Sequence, residues 1–307
     1  MCQLLGMNCA TPTDVTFSFT GFAARGGRTG DHADGWGIAY YQGSGCRVFH
    51  DDEPASDSRL AAFLRDYPIK SRIVLAHVRK ATQGLPGLSN CHPFIREWLG
   101  QSWVFVHNGD LKNFQPRSNF NVTCNHRFVP IGTTDSENAF CWMMQELSAR
   151  FADRATPPDW KELAPVLTEI SEEIARYGNF NFLLSNGDAL YAHCSSTLHA
   201  LERTHPFPTA TLVDCDVSMD LSALNADGDR MMIIATEPLT DEAAWSKFET
   251  GEFNVFVGGA RVFQHINKNT RAFAMPTPEC TERALALERA AEIATAAPVK
   301  SSTAVEI

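Results

Sequence analysis

The order of apolar segments along the chain is the strongest constraint on its fold. Short segments rich in β-branched and aromatic residues fill the first part of the sequence and return after Gly178, and such segments are typical of β-strands. Two longer segments with helical spacing of apolar residues lie between these blocks. Because strands and helices do not alternate, the pattern predicts antiparallel sheets packed against helices rather than a parallel sheet. We therefore expect an α+β protein.

The individual elements follow from the same pattern. Strands are predicted over Cys2–Met7, Trp36–Tyr41, Arg47–His50, Ile73–Val78, Trp103–His107, Phe180–Leu184, Leu190–Cys194, Leu198–Glu202, Met231–Thr236, Phe253–Val257 and Arg261–His265. Helices are predicted over Ser58–Tyr67, after a capping box at Thr134–Glu137, and over Trp160–Tyr177. Residues 21–35 are rich in glycine, arginine and aspartate and are predicted to form a long mobile loop.

The sequence shows no linker that would force an early domain boundary. Residues 1–270 are predicted to form a single domain. Residues 271–307 hold an Ala/Glu-rich segment followed by APVKSSTAVEI, and they are predicted to form a C-terminal helical extension and a flexible tail.

Composition and spacing exclude several classes of function. The net charge of −10 argues against binding of nucleic acid or an anionic membrane surface. We find neither a signal peptide nor a run of about 18 apolar residues, and the nine cysteines form no CxxC pair, so a cytoplasmic protein with reduced thiols is expected. No zinc-ligand spacing and no glycine-rich phosphate loop occurs, so no metal or cofactor is expected.

Cys2 follows the initiator methionine directly, and this position has a chemical consequence. Removal of Met1 would leave one residue that carries both a thiol and an α-amine. The amine has an ordinary pKa of about 7.7 to 8.0, so it can accept the thiol proton without a histidine. Cys2 is thus a candidate nucleophile, although a cysteine is often only a small apolar side chain.

A second candidate group is His107-Asn108-Gly109-Asp110, at the end of an apolar strand. A tight turn there would aim the Asn108 side-chain amide and the Gly109 N–H at one point, as an oxyanion hole requires. An Asn-Gly pair also commonly closes a simple hairpin, so both interpretations remain open.

Four further side chains are candidates for binding a substrate. Arg79 could hold a carboxylate through its two-pronged guanidinium, and Thr82 could add a hydroxyl contact. His92 could orient Arg79 or line the pocket. Asp135 could bind an ammonium group, although a carboxylate in the first turn of a helix is also favoured by the helix dipole.

Taken together, these residues occur in an order that identifies a family. The ordered motifs are Cys2, Arg25-Gly26-Gly27, Asp34-Gly35-Trp36-Gly37, His77-Val78-Arg79-Lys80-Ala81-Thr82, Asn90-Cys91-His92-Pro93-Phe94, His107-Asn108-Gly109-Asp110 and Thr134-Asp135-Ser136-Glu137. The chain resembles class II (N-terminal cysteine) glutamine amidotransferases over residues 1–265. It looks closest to the stand-alone YafJ-like group, which is related to glutathione-degrading and ergothioneine-pathway enzymes.

The resemblance implies a fold and a set of catalytic roles. The implied fold is the four-layer αββα sandwich of the N-terminal-nucleophile (Ntn) hydrolases, with two antiparallel sheets between helical layers. Cys2 would be the nucleophile with its own α-amine as base, and Asn108 and Gly109 would form the oxyanion hole. The reaction would pass through a glutamyl thioester and yield glutamate and ammonia.

The resemblance also implies how the substrate is held and which functions compete. Arg79 would bind the substrate carboxylate and Asp135 its ammonium group, while Arg25 and Gly26 would lie on a loop that closes over the glutamyl group. Lys80 stands where related sugar-phosphate-aminating enzymes commonly have tryptophan, and the residues after 265 are not expected to form a second acceptor domain. Three functions stay open: glutamine hydrolysis with ammonia released or passed to a separate synthase, hydrolysis of a γ-glutamyl peptide or amide, and a non-catalytic subunit.

Overall fold

The computed structural model describes residues 2–81, 86–114, 127–223 and 225–268. The predicted extension and tail over 271–307 lie outside these residues, as does Thr82. In chain order the helices and strands are β1 (Gln3–Asp14), α1 (Thr16–Ala24), β2 (Trp36–Gln42), β3 (Gly45–Asp51), α2 (Arg59–Asp66), β4 (Lys70–Val78), β5 (Phe94–Trp98), β6 (Gln101–Leu111), α3 (Asp135–Arg150), α4 (Trp160–Ala175), β7 (Gly178–Ser185), β8 (Leu190–Cys194), β9 (His199–Thr204), β10 (Thr209–Thr211), β11 (Ser218–Asp220), β12 (Arg230–Ala235), β13 (Ser246–Lys247), β14 (Glu252–Val257) and β15 (Ala260–Ile266).

The described strands form two large antiparallel sheets and one small hairpin. The first sheet has seven strands in the order β13-β9-β12-β1-β4-β2-β3, and the second has six in the order β15-β14-β8-β7-β6-β5. Strands β10 and β11 pair only with each other. Strand β1 is hydrogen-bonded to β12 on one side and to β4 on the other. The residue before β1 therefore lies at the end of a central strand.

The two sheets pack face to face, and helices cover their outer faces. Along β1 the side chains alternate, so that Leu4 contacts the second sheet while Leu5 and Met7 belong to the apolar cluster under α1 and α2. On the other side, α3 and α4 pack on the six-stranded sheet through an aromatic-rich cluster that includes Phe105 and Phe140, whose rings stack 5.0 Å apart. The order of layers is helix, sheet, sheet, helix, which confirms the predicted αββα sandwich.

The prediction of a loop over residues 21–35 is wrong at its beginning, because Gly21 to Ala24 belong to α1. This helix is buried on nearly every side, including Phe17, Phe19 and Phe22. A helix buried all round shows no amphipathic period, and that period is the signal that a sequence provides. Gly21 also argued against a helix, but it permits close packing, since an added Cβ would lie 2.8 Å from the Leu212 side chain.

The predicted turn at Asn108-Gly109 is also wrong. Strand β6 continues through both residues to Leu111, which pairs with Gly178 at the beginning of β7. Asn108 lies opposite Asn181 of β7 in this register. Strand β7 pairs with β6 beyond the apolar part of β6, and this pairing keeps residues 108 and 109 in an extended strand.

The remaining helices begin close to where their capping residues predict. The Ser58 hydroxyl accepts the Ala61 N–H at the start of α2, and the Thr134 hydroxyl accepts the Glu137 N–H at the start of α3. Glu137 does not complete a capping box, because its carboxylate bonds to Arg96 at 2.5 Å. None of the helices in the described ranges is long and apolar enough to cross a lipid bilayer.

Candidate active site

Cys2 lies just before β1, beside the residues that follow β4. Its Sγ accepts a hydrogen bond from the Lys80 backbone N–H at 3.3 Å and donates to the Lys80 carbonyl at the same distance. Burial raises the pKa of the Cys2 thiol, while the Lys80 N–H and the charge of Arg79 act in the opposite direction. The thiol therefore needs a nearby base to ionise at neutral pH.

The side chain of Asn108 reaches Cys2 from the facing sheet. Its Nδ2 donates to the Cys2 carbonyl at 2.8 Å and to the Thr236 hydroxyl at 2.9 Å. The same hydroxyl accepts the Leu4 N–H at 2.9 Å. Asn108 and Thr236 are both buried, so these bonds fix the main chain on either side of Gln3.

Gly109 is the residue after Asn108 and pairs with Phe180 of β7. A Cβ added at Gly109 would lie 1.8 Å from the Asn179 carbonyl oxygen and 2.7 Å from the ring of His107. The position therefore accepts only a residue without a side chain.

We expect Gly109→Ala to lower the free energy of unfolding by roughly 3 kcal/mol or more, because β7 backbone must move to admit the methyl group. Urea unfolding monitored by tryptophan fluorescence measures this. Gly228→Ala is the matched control, since a Cβ there would meet no atom within 4 Å. Equal stability of the two variants would contradict the close approach at Gly109.

Arg79 is buried next to Cys2 at the end of β4. Its backbone N–H donates to the Gly35 carbonyl at 2.8 Å, and its guanidinium donates to the Asp34 carbonyl at 3.3 Å. The Asp34 carboxylate in turn accepts the Ala81 N–H at 2.7 Å. The loop before β2 is thus tied to the segment that carries Arg79 and Lys80.

His92 is packed in the interior between two other rings. Its ring centroid lies 4.2 Å from that of His77 and 4.3 Å from that of Phe94. Neither ring nitrogen of His92 has a hydrogen-bond partner in the described part of the chain. Burial lowers the pKa of His92 well below its ordinary value, so the ring is neutral.

Asp135 is the first residue of α3, and its carboxylate is fixed by backbone groups. One oxygen accepts the Leu111 N–H at 2.7 Å and the other accepts the Ser136 N–H at 2.8 Å. The side chain therefore joins the start of α3 to the end of β6, only two residues beyond Gly109. It is partly exposed, as an ammonium-binding group must be.

Arg25 and Gly26 directly follow α1. The Arg25 guanidinium donates to the Asp214 carboxylate at 2.7 Å, to the Glu237 carbonyl at 2.9 Å and to the Gln3 side chain at 3.3 Å. It is buried and acts as a tie between this segment and the residue after Cys2. A Cβ added at Gly26 would lie 2.6 Å from that of Ala55, which explains the glycine.

Comparison with known proteins identifies the family. A model of the class II glutamine amidotransferases matches residues 1–280. The chain belongs to the class II glutamine amidotransferase family. The match confirms the family resemblance found in the sequence motifs.

Individual relatives of this amidotransferase cover most of its length. It is 44% identical over 262 residues to the putative glutamine amidotransferase YafJ of Escherichia coli K12, which spans 85% of this chain and 100% of the relative. It is 46% identical over 266 residues to a putative glutamine amidotransferase of Haemophilus influenzae, with 87% of each chain covered. The crystal structure of a "predicted glutamine amidotransferase" from Pseudomonas aeruginosa matches with a TM-score of 0.67 and 40% identity, over 85% of this chain and all of that one.

Two residues that bond to the Asn108 side chain, Thr236 and Asn181, were not predicted from the sequence. Thr236 follows β12, and Asn181 stands in the middle of β7 between Phe180 and Phe182. Both are polar residues in or next to strands that are otherwise apolar and buried. Such residues need internal partners, and this is the one signal that could have marked them.

Buried histidines of the amidotransferase predict how its stability depends on pH. Burial lowers the pKa of His77 to about 3 and that of His193 to about 4, and it also lowers the pKa values of His92 and His107. Below about pH 6.5, the unfolded chain therefore binds more protons than the folded protein does.

We expect the free energy of unfolding to be roughly constant between about pH 7 and 8 and to fall between pH 6.5 and 4.5, by roughly 1 kcal/mol per pH unit for each buried histidine. Urea titrations at several pH values measure the slope. His193→Gln should reduce it by one histidine's share. A flat profile for the unmodified protein over this range would contradict the expectation.

Proposed function

We propose that this amidotransferase hydrolyses the side-chain amide of glutamine, with Cys2 as the nucleophile. The observation that carries the proposal is the environment of Cys2. Its thiol is hydrogen-bonded to the backbone N–H and carbonyl of Lys80. The side-chain nitrogen of the buried Asn108 lies 2.8 Å from the carbonyl oxygen of Cys2. A cysteine whose own α-amine can act as base, beside an amide donor, is an arrangement that suits acyl transfer.

The proposed reaction has two steps. After Met1 is removed, the α-amine of Cys2 takes the thiol proton, and the thiolate attacks the δ-carbonyl carbon of glutamine. The tetrahedral intermediate collapses as the α-ammonium gives its proton to the leaving nitrogen, which forms a glutamyl thioester and ammonia. Water then attacks the thioester and releases glutamate and the free thiol.

The Asn108 amide and the Gly109 N–H are the proposed oxyanion donors. The two amide hydrogens of Asn108 already have acceptors, the Cys2 carbonyl and the Thr236 hydroxyl. A negatively charged oxygen is a stronger acceptor than either group, so one of these N–H groups can redirect its hydrogen bond to the oxyanion as charge develops. Each such donor contributes roughly 3 kcal/mol to the stabilisation of a transition state.

The substrate's charged end is assigned to the groups around Cys2. In this proposal Arg79 binds the α-carboxylate and Asp135 the α-ammonium, and Thr82 adds a hydroxyl contact. His92 supports the wall behind Arg79 as a neutral ring. Arg25 and Gly26 hold the segment after α1 next to Gln3 and thus close one side of the site.

A separate ammonia-accepting synthase is the proposed partner, and the cytoplasm the proposed location. Every described cysteine is a free thiol, namely Cys2, Cys9, Cys46, Cys91, Cys141, Cys194 and Cys215. Free thiols in this number are the usual state of a protein in a reducing compartment.

A second candidate reaction is hydrolysis of a γ-glutamyl peptide or amide, in which an amine larger than ammonia leaves. The Lys80 side chain favours it, because among the described residues its ammonium is paired with Asp31, whose side chain is 73% exposed. Exposed ion pairs contribute little free energy, so Lys80 can exchange this partner for a carboxylate on the leaving group. Comparing kcat/KM for glutamine and γ-glutamyl dipeptides, in the unmodified protein and in Lys80→Ala, decides between the two substrates.

A diazoketone analogue of glutamine tests the proposal directly. Intact-mass spectrometry before treatment should show the loss of Met1, and after treatment one adduct located on Cys2. Retention of Met1 in active protein, or an adduct on another cysteine, would contradict the proposed mechanism. A chain that carries no adduct and releases no glutamate would instead be a non-catalytic subunit.

A further inference from the structure

Asn181 connects the proposed oxyanion donors to a fixed part of the backbone. It is fully buried in β7, directly opposite Asn108 of β6. Its Nδ2 donates its two hydrogens to three acceptors, so that one hydrogen is shared: the Asn108 side-chain oxygen lies at 2.9 Å, the Asn108 backbone carbonyl at 3.2 Å and the Ser196 hydroxyl at 2.8 Å. Its Oδ1 accepts the backbone N–H groups of Ser195 and Ser196, both at 2.9 Å.

The chemistry of these partners fixes which way each amide faces. A backbone N–H can only donate, so the oxygen of Asn181 must face Ser195 and Ser196, and its NH₂ group must face Asn108. An NH₂ group can only donate, so Asn108 must present its oxygen to Asn181. The NH₂ group of Asn108 is then left to face Cys2.

The opposite orientation of the Asn108 amide would create two unfavourable contacts between like groups. Its NH₂ group would face the NH₂ group of Asn181, and its oxygen would face the carbonyl oxygen of Cys2. A developing oxyanion would then meet an acceptor instead of a donor. The orientation of the Asn108 amide is thus set by Asn181 on one side and by the Cys2 carbonyl on the other.

Asn181 is also bonded to the second proposed donor. The Asn108 carbonyl that accepts its Nδ2 belongs to the same peptide group as the Gly109 N–H. A hydrogen bond to the carbonyl holds the plane of that peptide and polarises its N–H. One side chain therefore contacts both groups that we assign to the oxyanion.

We propose that Asn181 is a positioning residue that sets the orientation of the Asn108 amide and of the Gly109 peptide towards the oxyanion. This inference rests on the proposed function. It predicts that Asn181 influences the rate of the chemical step more than the binding of glutamine, because a donor is needed most when charge develops.

Two substitutions test the proposal. Asn181→Ala removes all of the side-chain bonds, whereas Asn181→Asp keeps an acceptor for Ser195 and Ser196 and replaces the NH₂ donor that faces Asn108 and the Ser196 hydroxyl. We expect kcat for glutamine to fall about 10- to 100-fold in both, with KM within about threefold of the unmodified value. The rate of Cys2 alkylation by iodoacetamide should be unchanged. If Asn181→Ala does not fold, Asn181→Asp alone decides.

A double substitution separates positioning from a general structural role. If Asn181 acts mainly through the Asn108 side chain, adding Asn181→Ala to Asn108→Ala should lower kcat by less than about threefold further. Asn8 provides the control, because it is another buried asparagine whose Oδ1 accepts a backbone N–H, that of Gly259. Asn8→Ala should change stability but not kcat.

The outcomes are distinct from failure of the proposed function. If the unmodified protein hydrolyses glutamine and Cys2→Ala does not, the proposed function stands, and normal kcat in Asn181→Asp would overturn only the positioning role. The positioning role would also be overturned if the losses of kcat from Asn108→Ala and Asn181→Ala were fully additive in free energy in the double variant. A tenfold rise in KM at constant kcat in Asn181→Asp would overturn it too. If Cys2→Ala is as active as the unmodified protein, the proposed function itself fails.

Discussion

Cys2→Ala is expected to lower glutamate release from glutamine by at least about 10⁴-fold, because no other group can form the thioester. The fold should survive the change, since the Cys2 side chain is only half-buried and lies before the first strand. The measurement is a coupled assay of glutamate formation at saturating glutamine, together with a thermal melt that shows an unchanged folded state.

Two controls make the Cys2 result specific. Cys215→Ala alters another half-buried thiol and should leave the rate of glutamate release unchanged. A tag that prevents removal of Met1 should reduce activity as strongly as Cys2→Ala, because it removes the α-amine that acts as base while keeping the thiol. Activity in the tagged protein would disprove the role of the amine, and activity in Cys2→Ala would disprove the nucleophile.

Asn108→Ala is expected to have the next largest effect, a fall in kcat of about 10²- to 10³-fold with KM changed by less than about fivefold. The substitution removes an amide donor that lies beside Cys2 and is needed chiefly when the carbonyl oxygen becomes negative. Steady-state kinetics with glutamine measure both constants, and single-turnover formation of the thioester reports the chemical step itself.

Asn108 also fixes the Cys2 carbonyl, so its loss could disturb the nucleophile indirectly. The rate of Cys2 alkylation in Asn108→Ala tests this, and an unchanged rate assigns the loss of kcat to the oxyanion. Asn254, a buried asparagine of β14 whose Nδ2 donates to Glu252, is the matched control. Asn254→Ala should retain its kcat, and a large rise in KM without loss of kcat in Asn108→Ala would contradict the assignment.

Much of the fold could be predicted from the sequence, because most strands are bounded by polar turns and most helices by capping residues. Strands β7, β8, β12 and β14 lie within about two residues of their predicted bounds. Helix α1 could not be predicted, since it is buried on nearly every side and therefore shows no amphipathic period. The short strands β10, β11 and β13 are likewise too brief to show a period.

The proposed site could be predicted only in part. Cys2, Arg79 and Asn108 stand in recognisable motifs, and the fold brings them to one place. The supporting groups come from distant strands, and only pairing between strands reveals that Asn181 lies opposite Asn108. Local sequence predicted a turn at Asn108-Gly109, whereas the neighbouring strand β7 extends β6 and decides the outcome.

The support of Cys2 by Thr236 has a consequence for the timing of synthesis. Leu4, two residues after the nucleophile, is bonded to a hydroxyl 232 positions further along the chain. During translation, Cys2 is therefore made long before Thr236, whose hydroxyl bonds to Leu4. Strand pairs so far apart in sequence also form late in folding. Under the proposed function, we expect the thiol to gain its full reactivity only after β12 has been synthesised and has paired with β1.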